Sequence, residues 1–421
     1  MNWVPSISIR PPSQYQKGIT NAASAHRMRT RTSAAFASVR IGSGSYTARS
    51  RAPIHGIFVD GFMLTTTHSM TMRRLLFSLA LTLAVPLSLA AQPYAARQTG
   101  EVVHLEDARA KTIVSIVPGV GNIAFAMTVN GSNIVWWPYS SLDEFKAKPG
   151  LGGVPFLGPW ANRLDQQAFY ANGRRYGFDM SLGNIRGEIP IHGFLTTTSQ
   201  WRVVQVDADV SSAWATSRLE FYRQPAWMAQ FPFAHTIEMT YRLQNGVLEV
   251  ATRIHNLSDD PMPVAIGFHP YFQLTDSRRD DWTISVGART RWLLNADKLP
   301  TGEREPIERL FADPQAVALR DYNLDDVFGD LVRDATGRAR MSVRGRTQRV
   351  DVTFGPNWRA AVVWAPKPTS PTQDRNFVCF EPMAGITNAM NLAHRGVYPE
   401  LQSILPNAIW EESFWIQPSG F

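Results

Sequence analysis

Thr236-Ile-Glu-Met-Thr-Tyr-Arg-Leu243, then Asn245-Gly246, then Val247-Leu-Glu-Val-Ala-Thr-Arg-Ile254 is the stretch of this 421-residue chain that decides the fold. Both flanking runs alternate apolar and polar side chains, the period of a strand with one face buried. Asn-Gly between them is the strongest two-residue hairpin signal, because both central residues of a type I′ turn need positive φ. The stretch therefore reads as two neighbouring antiparallel strands.

Outward from it the same signature repeats. Thr112-Ile-Val-Ser-Ile-Val117, Arg349-Val-Asp-Val-Thr-Phe354 and Ala360-Ala-Val-Val-Trp364 are further β-branched or alternating runs, and little of the chain carries a helical period. Gly119-Val-Gly-Asn-Ile-Ala124 matches a dinucleotide fingerprint superficially, but Pro118 precedes it and Phe125-Ala-Met-Thr-Val129 continues as strand. Without a helix N-terminus to hold a pyrophosphate, this is a β-turn. Residues 138 to 200 are rich in Pro and Gly and poor in strand signal, a loop long enough to be functional. No repeat, coiled coil or linker divides the chain after residue 100. The prediction is an all-β fold, one large antiparallel β-sandwich over residues 92–421. Twelve of the 13 tryptophans fall in that part. Cys379 is the only cysteine, so no internal disulfide can form and a packed core must supply the stability.

Charge separates this body from the head of the chain. Residues 1–91 hold 10 Lys/Arg against 1 Asp/Glu, leaving 32 basic against 34 acidic residues in the remainder. The formal +7 thus belongs to the head, and the body lacks the basic footprint that nucleic acid requires. Within the head, Arg73-Arg74 opens onto the apolar run 75–87, followed by small residues at Ser88 and Ala90. These are the three regions of a secretory signal peptide, expected at residues 70–91, and they imply an exported, periplasmic protein. The run is shorter than the ~20 residues a membrane span needs, and Pro86 interrupts it, so no stable membrane insertion is expected after cleavage. Residues 1–69 are expected to be an unstructured extension or the product of a start assigned too far upstream. Their Arg- and Ser-rich, acid-poor composition also fits a transit peptide.

Several segments are hard to explain as core. Gly152-Gly-Val-Pro-Phe-Leu-Gly-Pro-Trp-Ala-Asn-Arg163 ends a glycine-rich loop with an amide and a guanidinium, groups suited to sugar hydroxyls. Ile189-Pro-Ile-His-Gly-Phe194 sets His192 among turn formers, and Gly267-Phe-His-Pro-Tyr-Phe272 sets His269 in an aromatic-flanked break after a strand. Leu324-Asp-Asp-Val-Phe328 reads on its own as a cap or turn. Phe377-Val-Cys-Phe-Glu-Pro-Met383 carries Glu381 along an apolar strand, where an unpartnered carboxylate is costly. That marks it as a candidate acid or base. His192, His235 and His269 show no metal-ligand spacing, and no metal or other cofactor is expected.

In this order, these segments resemble the aldose 1-epimerase, or galactose mutarotase, family from about residue 100 to 418. The resemblance implies a mutarotase-like sandwich that interconverts the anomers of a free sugar, a small-molecule substrate. It assigns Glu381 as catalytic base and His269 as general acid, with Arg163, Asn162, His192 and Asp325 holding the sugar. Asp326 stands close enough to compete with Asp325. The family's His-Gly-Gly is here His-Gly-Phe, and Ile404-Leu-Pro followed by Trp410 resembles its closing strand region. Trp160 is the expected aromatic cover for an apolar face of the ring. Loops 138–160 and 386–410 are the expected determinants of sugar choice, and oligomeric state is left open.

Three other readings share these residues. One is a hexose-6-phosphate 1-epimerase, which needs added basic residues and fits poorly with export. Another is a glycoside hydrolase using Glu381 and Asp325 as paired carboxylates about 5 to 9.5 Å apart. The last is a non-catalytic carbohydrate-binding protein on the same fold.

Overall fold

A computed structural model describes residues 92–421 apart from 151, 184 and 371. The expected extension at 1–69 and the signal segment at 70–91 lie outside the described residues. The deciding stretch forms strands His235–Gln244 and Val247–Asn256, paired in continuous register from His235↔Asn256 to Gln244↔Val247. Asn245 and Gly246 take φ of 51° and 71° at the turn. Along the first strand Ile237, Met239, Tyr241 and Leu243 are buried, while the alternate Thr236, Glu238, Thr240 and Arg242 face outward. This is the period-2 pattern read from the sequence.

Among the described residues the hairpin lies inside a nine-stranded antiparallel sheet. From one edge it runs Arg202–Ala208, Ala213–Glu220, His235–Gln244, Val247–Asn256, Ile409–Ser419, Arg349–Phe354, Ala339–Arg344, Thr283–Val286, Val317–Ala318. Its outer face carries charge pairs across strands: Arg218 and Arg253 both meet Glu238, and Arg253 also meets Glu411. Such exposed pairs contribute little stability individually. The inner face packs into one continuous core with a second sheet, Ile237, Val250, Phe354 and Phe414 from the first meeting Phe268, Phe328, Val363 and Phe380 from the second. A five-stranded sheet, Tyr94–Thr99 through Ser132–Asn133, joins the same core. The residues 118–122 make the turn between Thr112–Val117 and Ile123–Val129, with strand and no helix following.

The second sheet has eight strands and positions the site. Its central order is Leu324–Leu331, Ala360–Ala365, Val378–Met383, then Gly267–Phe268, with Tyr271–Phe272 also on Val378–Met383. Val378–Met383 is buried at every position because both of its faces are covered. Val378 and Phe380 point into the inter-sheet core, and alternation turns Cys379, Glu381 and Met383 to the opposite face. Residues 138–200, expected as loop, contain the short helix Leu142–Ala147 and several strands of two to four residues.

Candidate active site

Register brings the chemistry together. Asp325 pairs with Trp364 and Trp364 with Cys379, so these side chains share a row and a face across three strands. One step along, Val327, Val362 and Glu381 form the next row on that face. Gly267 pairs with Met383 and Tyr271 with Cys379, which sets His269 opposite Glu381 in the interrupted ladder. Pro270 cannot donate to the ladder, and the His269 N–H turns to the Pro155 carbonyl at 3.0 Å. The break leaves the imidazole Nε2 3.2 Å from Glu381 Oε1.

Three aromatic rings fix the imidazole. Tyr271 stacks on it at 4.6 Å and 16°, Trp364 meets it edge-on at 5.4 Å, and His192 meets it edge-on at 5.5 Å. His269 is 6% exposed and Glu381 1%. Burial pushes the His269 imidazole down to about 3, with nearby Arg163 adding to the effect. Burial pushes the Glu381 carboxyl well above the ordinary carboxylate range, as does the charge of Asp325, against an opposing pull from Arg163. Both shifts disfavour charge. Both directions favour the uncharged forms of the pair, a carboxylic acid beside a neutral imidazole.

The sugar-binding candidates sit on two loop segments laid against each other. Asn162 takes φ 58° and His192 φ 59°. Asn162 N–H donates to His192 Nδ1 at 3.1 Å, and His192 N–H returns a bond to the Asn162 carbonyl at 2.9 Å. With Nδ1 accepting, the proton of neutral His192 is on Nε2. Burial, His269 and Arg163 hold His192 well below its ordinary pKa. Gly193, at φ 59°, is required here: a Cβ would stand 2.1 Å from the Gly158 carbonyl oxygen. Asn162 Oδ1 accepts from the Arg163 backbone N–H at 2.9 Å and from its guanidinium at 3.0 Å. The guanidinium also reaches Asp325 at 3.2 Å. Asp326 points to the other face and pairs with Arg291 at 3.1 Å, so alternation decides between the two aspartates in favour of Asp325.

Asn162, Arg163, His192, His269, Asp325 and Glu381 all line one cavity of about 380 Å³, within the range of small-molecule sites. Trp160 does not. It is 2% exposed and packs in the core against Phe178 and Phe194. Trp364 is the aromatic wall instead. Loop 386–410 contributes nothing to the lining, whereas Ile185, Arg186, Thr196 and Thr197 do, together with Pro149 and Gly150 from the expected 138–160 loop. Trp364 ends a strand visible in the sequence, but only the sheet's register shows which face it serves. Among the described residues no three or more His, Cys, Asp or Glu side chains converge as a metal site.

The site therefore joins a β-sandwich to a buried carboxyl–imidazole pair at the wall of a small-molecule cavity, and comparison with known proteins gives the family. The aldose 1-epimerase family model matches residues 109–416, and the chain belongs to that family. Solved structures similar to it include a galactose mutarotase-like protein from Clostridium acetobutylicum, 21% identical with a TM-score of 0.67 over 78% of this chain and 98% of that one. Galactose 1-epimerase from Lactobacillus acidophilus is 16% identical, with a TM-score of 0.60 over 78% of this chain and 98% of its own. A putative aldose 1-epimerase from Escherichia coli K12 is also 16% identical, with a TM-score of 0.58 over 78% and 99%. At these identities the structures bear on the fold alone, which is the all-β sandwich expected from the sequence.

Proposed function

We propose that this protein is an exported aldose 1-epimerase, using Glu381 as base and His269 as acid on a free aldose. The observation that carries the reading is the 3.2 Å contact between Glu381 and His269 at the wall of a cavity that also presents Arg163, Asn162, His192 and Asp325. Glu381 contacts His269 while Asp325 is paired with Arg163, an acid–base arrangement that favours ring opening over glycoside hydrolysis.

The steps follow from one shared proton. Transfer along the pair's own hydrogen bond gives Glu381 carboxylate and His269 imidazolium, with no change in the pair's net charge. Glu381 then takes the proton of the anomeric hydroxyl while His269 gives its proton to the ring oxygen. The bond from C1 to the ring oxygen breaks, and C1 becomes an aldehyde. At this point Glu381 is protonated and His269 neutral, the distribution that burial favours in the resting site. The open chain thus meets an environment already suited to it. Rotation about the bond from C1 to C2 presents the other aldehyde face. The ring hydroxyl closes on it, returning its proton to His269, and Glu381 reprotonates the new anomeric oxygen. The hydroxyls are held meanwhile by the Arg163 guanidinium, the Asp325 carboxylate and His192 Nε2–H, with Trp364 against the ring.

Polarimetry of fresh α-D-glucose and α-D-galactose, corrected for spontaneous mutarotation, tests this. Acceleration is expected, with losses of about 10² to 10⁴-fold in both Glu381→Gln and His269→Asn. No acceleration of any aldose by folded protein would sink the reading. Mass spectrometry of the mature protein tests export, with a chain start near residue 91 as the expected result.

A further inference from the structure

Charge in the cavity is balanced except at one place. Arg163 is paired with Asp325 at 3.2 Å, Glu381 and His269 contact each other at 3.2 Å, and burial disfavours charge on His192. The remaining charged side chain in the lining is Arg186. Among the described residues its side chain makes no ion pair or hydrogen bond, and it is exposed. Its position is nevertheless tied to the site. Ile185–Arg186 pairs with Ile189–Pro190, and the second of these strands runs directly into Ile191 and His192. Gln167 Nε2 holds the turn of this ribbon through the Glu188 carbonyl at 3.1 Å. The cavity thus carries one uncompensated positive charge, on a planar guanidinium, beside the residue that orients the sugar.

We propose, resting on the epimerase reading, that the substrates this site prefers are hexuronates, with Arg186 binding their carboxylate. A hexuronate brings one negative charge, matching the single excess positive one. Its carboxylate is planar and accepts two parallel N–H bonds from a guanidinium. The carboxylate sits on C5, clear of the atoms that react, so ring opening at C1 proceeds as for a neutral aldose. A phosphate ester brings more charge than one arginine balances.

Initial mutarotation rates of D-galacturonate, D-glucuronate, D-galactose, D-glucose and D-glucose 6-phosphate would be compared for wild type, Arg186→Ala and Arg186→Glu. In wild type the ratio of kcat/KM for hexuronate over neutral hexose should be at least about tenfold, the scale of a charge-assisted bond. The ratio should approach one in Arg186→Ala and fall below one in Arg186→Glu. Raising ionic strength should increase KM for the hexuronates selectively. Acceleration of neutral hexoses with a ratio at or below one, a ratio unmoved by either substitution, or a preference for the 6-phosphate would each overturn the assignment while leaving the epimerase standing. Absence of acceleration with every sugar would overturn both.

Discussion

A carboxyl and an imidazole 3.2 Å apart and almost fully buried behave as one titrating unit, and the unit sets the pH dependence of the chemistry. An isolated imidazole of pKa ~6.5 acting as acid would make the rate fall as pH rises through that value. Here burial pushes His269 down to about 3 and Glu381 well up, so His269 does not titrate alone near its ordinary value. We expect kcat/KM to stay within about twofold from pH 6 to 8, after subtraction of the spontaneous rate. A steep fall above pH 6.5 would show that His269 titrates alone. Asn162 offers a second residue-scale test. Its φ of 58° lies where L-residues other than Asn and Asp pay about 1 kcal/mol or more, and its Oδ1 aims the Arg163 guanidinium. Asn162→Ala should lose more stability than Asn162→Gly in urea unfolding, yet both should raise KM, because neither can restrain Arg163.

At the scale of elements, the turn that presents Asn162 and Arg163 is clamped at both ends. Leu164 N–H reaches the Pro190 carbonyl, and Asp165 N–H reaches Asn388 Oδ1 at 3.3 Å. The Asp165 carboxylate accepts from Asn391 Nδ2 at 2.8 Å and pairs with Arg395, all on or beside the helix Ala389–His394. Asp165→Ala would remove one of the two acceptors of the buried Asn391 amide, which keeps only the Ala168 carbonyl at 3.1 Å, at a cost of about 1 kcal/mol. It should also lower kcat/KM about tenfold, mainly through KM, a loss on the scale of one charge-assisted bond. Asp165→Asn, which keeps an acceptor for Asn391, should recover much of both; equal kinetics for all three proteins would exclude the clamp. This helix shows where the sequence stops being readable. The hairpin at Asn245-Gly246, the strands and the polar segments were legible because each rests on local periodicity or turn chemistry. What pairs across strands was not. The register that sets His269 against Glu381, and the face that puts Trp364 rather than Trp160 into the cavity, depend on partners far apart in the chain, 108 residues for Tyr271 and Cys379 and 39 for Asp325 and Trp364. Arg186 was invisible for the same reason, being unremarkable until the other charges of the cavity were seen to be paired.

For the molecule as a whole, the active-site pair and one histidine outside the site contribute differently to acid stability. Between pH 5 and 6 burial, holding His269 down and Glu381 up, favours one proton on the folded pair. The unfolded chain also holds one on these two groups, since a free histidine titrates at 6.5 and a free glutamate at 4.5. The pair therefore contributes almost no slope. His235 is 2% exposed, stacked on Phe221 at 4.2 Å, and its Nδ1 lies 2.7 Å from the Phe233 carbonyl. Burial pushes it down to about 4, outweighing that hydrogen bond. As pH falls from 6.5 towards 4 the unfolded histidine gains a proton and the folded one does not. Stability is present above 6.5 and lost on acidification, by about 1.4 kcal/mol per pH unit from His235. His192, depressed in the same direction, adds to the slope. His235→Phe preserves the ring stack but leaves the Phe233 carbonyl without its donor, costing about 1 kcal/mol at neutral pH. Urea unfolding at pH 6.5, 6.0, 5.5 and 5.0 should show the substituted protein starting lower and declining more gently by one proton's worth of slope. Parallel declines would mean that His235 charges freely inside the fold, and that the acid sensitivity originates at His192 or at other groups.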